Sequence, residues 1–123
     1  MSNPSFLLLY VDSPKVSGAF YRELLKLEPV EQSPTFVLFA LESGLMLGLW
    51  SRCKVEPATA GSAGASELAF TVKDAADVDA TYAVWVEGGV RIAQAPVDLD
   101  FGRTFVGLDP DGHRLRVFAP TSA

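Results

Sequence analysis

The chain has 123 residues, nearly half of them apolar, with a formal net charge of −5. That length suits one domain with a real core, and the acidic balance lacks the basic face that a nucleic-acid partner requires. No basic amphipathic segment marks a membrane partner, the apolar run from Phe6 to Val11 is too short to span a bilayer, and no signal peptide is legible, so a cytoplasmic location is expected.

Phe6-Leu7-Leu8-Leu9-Tyr10-Val11 reads as a strand buried on both faces, stopped by Asp12, Ser13 and Pro14. Ser13 offers an N-cap, and Pro14 sits at the first helical position, where its missing N–H costs nothing. Val16, Ala19, Phe20, Glu23, Leu24 and Leu27 follow at helical spacing, and the helix is expected to end near Lys26. Strands are predicted near Pro29 to Glu31, Thr35 to Ala40 and Leu45 to Trp50, with turns at Ser33-Pro34 and Ser43-Gly44. Residues 53–66 then turn small and weakly patterned, which reads as a flexible linker. Cys53 lies at its start; a single cysteine forms no internal disulfide, and Arg52 and Lys54 beside it give no recognisable nucleophile context.

The pattern recurs after the linker. Leu68 to Val72 reads as a strand, Asp74 as a helix cap, and Val78, Tyr82 and Trp85 as an apolar stripe closed by Gly88-Gly89. Strands follow near Arg91 to Ala95, Phe101 to Leu108 and Arg114 to Phe118, the last after a tight Asp111-Gly112 turn. Leu9-Tyr10-Val11-Asp12 and Phe70-Thr71-Val72-Lys73-Asp74 lie about 61 residues apart, so the chain reads as one domain of two βαβββ modules. Module one spans about 4–52 and module two about 67–120. The fold class is α+β, with curved mixed sheets forming a cleft. One helix covers each sheet on one side only, so the other side needs a further surface, and the space between curved sheets is a natural place for a ligand.

Val11-Asp12-Ser13 with Ala19-Phe20-Tyr21-Arg22-Glu23-Leu24-Leu25 resembles the first-helix signature of glyoxalase and bleomycin-resistance proteins, and Leu108-Asp109-Pro110-Asp111-Gly112-His113 resembles their C-terminal hairpin. The resemblance, to the vicinal-oxygen-chelate superfamily, covers nearly the whole chain. Leu9-Tyr10-Val11, Phe20-Tyr21-Arg22, Glu28-Pro29-Val30, Leu49-Trp50-Ser51 and Phe101-Gly102-Arg103-Thr104-Phe105 are similar to the branch of this superfamily that confers resistance to phenazine antibiotics. That likeness implies a homodimer that binds a drug without altering it.

Metal-dependent members of such a family place His, Gln or Glu at four cleft positions, which the resemblance assigns to Phe6, Gly48, Glu67 and Arg116. Phe6 and Gly48 offer no ligand atom and Arg116 repels a cation, so neither metal nor other cofactor is expected. Glu67 and Arg116 are candidates to pair with each other, as a structural or a functional ion pair. The lone His113 follows a hairpin turn, is expected to face solvent, and suggests no Ser–His–Asp arrangement. Gly61 to Gly64 has neither the spacing nor the lysine of a phosphate loop. Glu67 is the best candidate for a general base, but it has no tuned partner acid.

Strand alternation sorts the remaining site residues. With Phe6 toward the cleft, Leu8, Tyr10, Met46, Gly48 and Trp50 follow it; Phe101, Arg103 and Phe105 share one face of the seventh strand, while Val106 and Leu108 suit the helix side. Each aromatic has an ordinary core reading beside the binding one. Trp50 is set apart because it ends a strand and Gly48 leaves room next to it. Arg103 is read either as the partner of a ligand carboxylate or as a plain salt bridge. The reading is metal-independent binding and sequestration of a planar aromatic small molecule, such as an antibiotic, for drug resistance or self-protection; a metal-dependent glyoxalase- or dioxygenase-like enzyme and an accessory module without ligand are the alternatives.

Overall fold

Ser13 and Asp74 each convert the end of a strand into the start of a helix, and the two caps open two copies of the same chain path. The computed structural model describes residues 3–121, and the chain divides into two units at Gly61 and Ser62. No helix among the described residues is long and apolar enough to cross a membrane.

The first unit runs β1 (Phe6–Val11), α1 (Pro14–Leu25), β2 (Glu31–Gln32), β3 (Phe36–Ala40) and β4 (Met46–Ser51). Its strands lie in the order β1-β4-β3-β2, with β1 parallel to β4 and the other pairs antiparallel. The Ser13 hydroxyl accepts the Val16 N–H at 3.2 Å, and Lys26 closes α1 in a left-handed conformation. The expected apolar stripe is not the face that α1 buries. Val16, Ala19 and Glu23 are exposed, and Pro14, Ser17, Gly18 and Tyr21 are buried. Small residues win here because they bring the helix close to the sheet: a Cβ on Gly18 would already stand 3.3 Å from Val37 Cγ2. Beneath them lie Val11, Val37, Phe39, Leu47 and Leu49, all fully buried. β1 is buried on one face only, since Phe6, Leu8 and Tyr10 are exposed. The linker residues 53–66 form no helix or strand. Val55 is nonetheless buried, and Arg52 donates to the Gly61 carbonyl at 2.6 Å.

The second unit runs β5 (Glu67–Thr71), α2 (Ala75–Glu87), β6 (Arg91–Leu99), β7 (Gly102–Leu108) and β8 (Arg114–Pro120), in the sheet order β5-β8-β7-β6. Asp74 caps α2 by accepting the Asp77 N–H at 2.9 Å. Val78 and Trp85 are buried, as the stripe required. β6 is longer than its sequence suggests. It runs on past the predicted end at Ala95 and through Pro96, because β6 is an edge strand with register shifts around Gln94, where a missing N–H is tolerated.

The face assignment of β7 reverses. Phe105 is fully buried, with its ring 5.4 Å from Tyr82 and 5.1 Å from Trp85 of α2, so it is core and not an open-face residue. Gly107 lies under the same indole, where a Cβ would stand 3.0 Å from Trp85 ring atoms. Thr104, Val106 and Leu108 take the opposite face, correcting the expectation that Val106 and Leu108 turn to the helix. The cause is Phe101, which belongs to the turn before β7 and not to its alternation. Gly102 follows at φ +138°, where a Cβ would collide with the Ala119 carbonyl.

Phe105→Ala is therefore expected to lower unfolding stability by about 3–5 kcal/mol, read from urea denaturation. A change within about 0.5 kcal/mol, the size seen at ordinary surface positions, would return Phe105 to the surface.

Candidate functional site

Strand register defines an open face on the first sheet. Phe6 pairs with Met46, Leu8 with Gly48 and Tyr10 with Trp50, so all six residues share one side, opposite the Leu47 and Leu49 that pack under α1. The antiparallel neighbour β3 adds Phe36 beside Trp50 and Leu38 beside Gly48. Phe6 is 53% exposed, Leu8 42% and Tyr10 36%. Trp50 is half-buried and meets the Tyr10 ring edge-on, centroids 6.2 Å apart. Gly48 does not leave room: a Cβ there would lie 2.7 Å from Leu8 Cδ2 and 2.9 Å from the Phe36 ring, which fill the space. Phe36 and Leu38 escaped sequence reading because β3 is apolar on both faces, and alternation sorts nothing in such a run.

The open face of the second sheet is polar at its centre. Pairing sets Glu67 beside Arg114, Ala69 beside Arg116 and Val106 beside Arg116. Arg116 donates to both Glu67 oxygens, from Nε at 2.7 Å and Nη2 at 2.9 Å, and from Nη1 to Thr104 Oγ1 at 3.1 Å. The Thr104 hydroxyl in turn donates to the Val117 carbonyl. The hydrogen bond from Arg116 is the main reason that the Glu67 carboxyl is held below its ordinary range, and the same bond raises Arg116. Both groups are thus ionised at neutral pH. The guanidinium carbon stands 5.8 Å from the centre of the Phe101 ring, and Phe101 meets Phe118 edge-on at 5.8 Å.

Arg103 lies on the α2 side, one step out of phase with this face. Its Nε donates to Asp79 at 2.8 Å and its Nη1 to Asp98 at 3.1 Å. Those two bonds, Asp79 first, raise its pKa. A groove of about 380 Å³ runs past it, bordered by Lys73, Asp74, Asp98 and Leu99. With two carboxylates already on its guanidinium, Arg103 takes the salt-bridge reading and leaves the open-face set. The C-terminal hairpin motif is likewise structural. The buried Asp109 carboxylate accepts the N–H groups of Asp111 and His113, both at 2.9 Å, and His113 is half-buried, not solvent-facing as expected.

The four positions compared with metal ligands do not fit a divalent ion. Phe6 and Gly48 supply no electron pair, Arg116 is a cation, and both oxygens of Glu67 are engaged by that cation. Among the described residues, no three His, Cys, Asp or Glu side chains gather as metal ligands.

Comparison with known proteins places this geometry. The model of the Glyoxalase/Bleomycin resistance protein/Dioxygenase superfamily matches residues 4–117. The phenazine antibiotic resistance protein EhpR of Enterobacter agglomerans is 33% identical over 117 residues, covering 93% of this chain and 89% of that protein. The solution structure of protein ATC0852 from Agrobacterium tumefaciens is 51% identical and superposes with a TM-score of 0.91 over 99% of this chain and all of that one. A glyoxalase-related enzyme from Fulvimarina pelagi, 20% identical, shares the fold at a TM-score of 0.85 over 100% of this chain and 94% of its own. The chain belongs to the Glyoxalase/Bleomycin resistance protein/Dioxygenase superfamily.

Proposed function

We propose that the chain binds a planar aromatic small molecule, such as an antibiotic, and holds it without a metal ion and without changing it. The observation that carries this reading is Trp50, half-buried on a sheet face that it shares with Tyr10, Phe36, Leu8 and Met46. An indole edge-braced by Tyr10 is a rigid stacking surface, and offset stacking contributes on the order of 0.5–1.5 kcal/mol beyond burial. The relative from Enterobacter agglomerans is named for resistance to phenazine antibiotics, and a phenazine is a flat, fused heteroaromatic that suits such a surface.

Sequestration fits the side chains better than catalysis does. A glyoxalase- or dioxygenase-like reaction needs an ion to polarise oxygen or activate water. The side chains at the compared positions are a benzyl group, a hydrogen, a cation and a carboxylate neutralised by that cation. In this reading the chain works as a homodimer, because Phe6, Leu8 and Tyr10 lie exposed side by side on one sheet face, the kind of apolar surface that a second chain can cover.

Fluorescence titration with a phenazine carboxylic acid tests the stacking role. The chain has two tryptophans, and Trp85 is buried against Phe70 and Phe105, so quenching reports Trp50. Trp50→Ala is expected to abolish the quenching and, by calorimetry, to weaken binding by roughly 1–3 kcal/mol with little change in Tm. Unchanged affinity would remove Trp50 from the site, and a large fall in Tm would make it core. Light scattering at micromolar concentration is expected to give twice the chain mass; a monomer across that range would rule out the dimer.

A further inference from the structure

Two guanidinium groups share one carboxylate on the open face of the second sheet. Glu67 binds Arg116 through both oxygens and has Arg114 Nη1 3.8 Å from Oε2. Two positive charges thus meet one negative charge, in a chain whose overall balance is −5. Arginine carries five N–H donors. Glu67 takes two of those on Arg116 and Thr104 takes one, which leaves one hydrogen on Nη1 and one on Nη2. The guanidinium is held in place from two sides, by Glu67 on β5 and Thr104 on β7, while Phe101 stands over it and is itself 44% exposed.

From this arrangement we infer that Arg116 is a recognition point for the carboxylate of an aromatic acid. The acid sets its oxygens against the two remaining N–H groups, and its ring lies along Phe101. The remaining N–H groups sit on a fixed, charged plane and donate to an anionic oxygen in a set direction, as a freely rotating ammonium does not. The surplus of one positive charge at Glu67, Arg114 and Arg116 matches a monoanion. Glu67 acts as a positioning residue, because its side-on grip fixes the guanidinium plane and so the direction of the remaining donors. Arg103 does not have this role, because the two carboxylates of Asp79 and Asp98 outweigh its single positive charge and leave no surplus for an anion. The inference rests on the proposed aromatic ligand and adds the acidic group that selects among such ligands.

Calorimetry of the full chain at about pH 8 with phenazine, phenazine-2-carboxylate and phenazine-2-carboxamide tests it. The wild type is expected to bind the carboxylate about tenfold to a hundredfold tighter than the carboxamide, the range for a hydrogen bond to a charged group. The double variant Glu67→Gln with Arg116→Met, which removes both charges together, is expected to bind acid and amide alike. Binding of all three ligands with no preference for the acid in the wild type overturns the inference and leaves the aromatic-ligand reading standing. A preference for the acid that survives in the folded double variant also overturns it. Binding of none of the three overturns both. Should the double variant not fold, as read by circular dichroism, the wild-type comparison of acid with amide decides alone.

Discussion

Each sheet of this protein has one helix to cover it, and a helix covers one face. That constraint sorts every strand residue into one that serves stability and one that is left to do something else. On the first sheet Val37, Phe39, Leu47 and Leu49 are fully buried, while their neighbours in sequence, from Phe36 to Trp50, form the other side. On the second sheet Phe105 and Val117 meet α2, and Thr104 and Arg116 do not. The apolar character of the first open face is therefore not explained by the packing of its own unit. A strand that needed only one buried face would alternate apolar with polar residues, yet Phe6, Leu8 and Tyr10 present two apolar side chains and an aromatic ring on the face opposite Leu7, Leu9 and Val11.

The second open face follows a different chemistry. Its centre is a charged, hydrogen-bonded chain from Glu67 through Arg116 to Thr104 and the Val117 carbonyl. A partly exposed ion pair contributes little to stability. Its effect here is geometric: it fixes the direction of a guanidinium. In the proposed function, an arginine held by a glutamate at the positions compared with metal ligands puts a permanent cation where metal-dependent relatives would hold a removable one. A permanent cation still attracts an anionic oxygen, but it does not carry out Lewis-acid chemistry on a bound water.

Much of the fold was legible in the sequence because its signals are local. Ser13-Pro14 and Asp74 mark helix starts, Gly88-Gly89 marks an end, and the repeat of strand, helix and three strands is plain. The shared face of Phe6, Leu8, Tyr10, Met46, Gly48 and Trp50 was legible too, since both strands run without interruption. The errors fall where a neighbour outweighs a local rule. Gly18 and Ser17 make the buried side of α1 because closeness to Val37 matters more than apolar spacing. Arg103 and Phe105 were misplaced because Phe101 was counted into β7, whereas the turn at Gly102 resets the alternation. The space at Gly48 is taken by Phe36, a contact across strands that spacing within one strand does not reveal.

In the proposed function, binding needs no metal and ends without chemistry. Its most direct test is calorimetric titration with a phenazine carboxylic acid before and after dialysis against EDTA, followed by chromatographic recovery of the ligand and measurement of its mass. The account predicts the same affinity in both titrations and a ligand recovered unaltered. Affinity lost on chelation and restored by added zinc, nickel, manganese or iron, or a recovered compound of different mass, would contradict it.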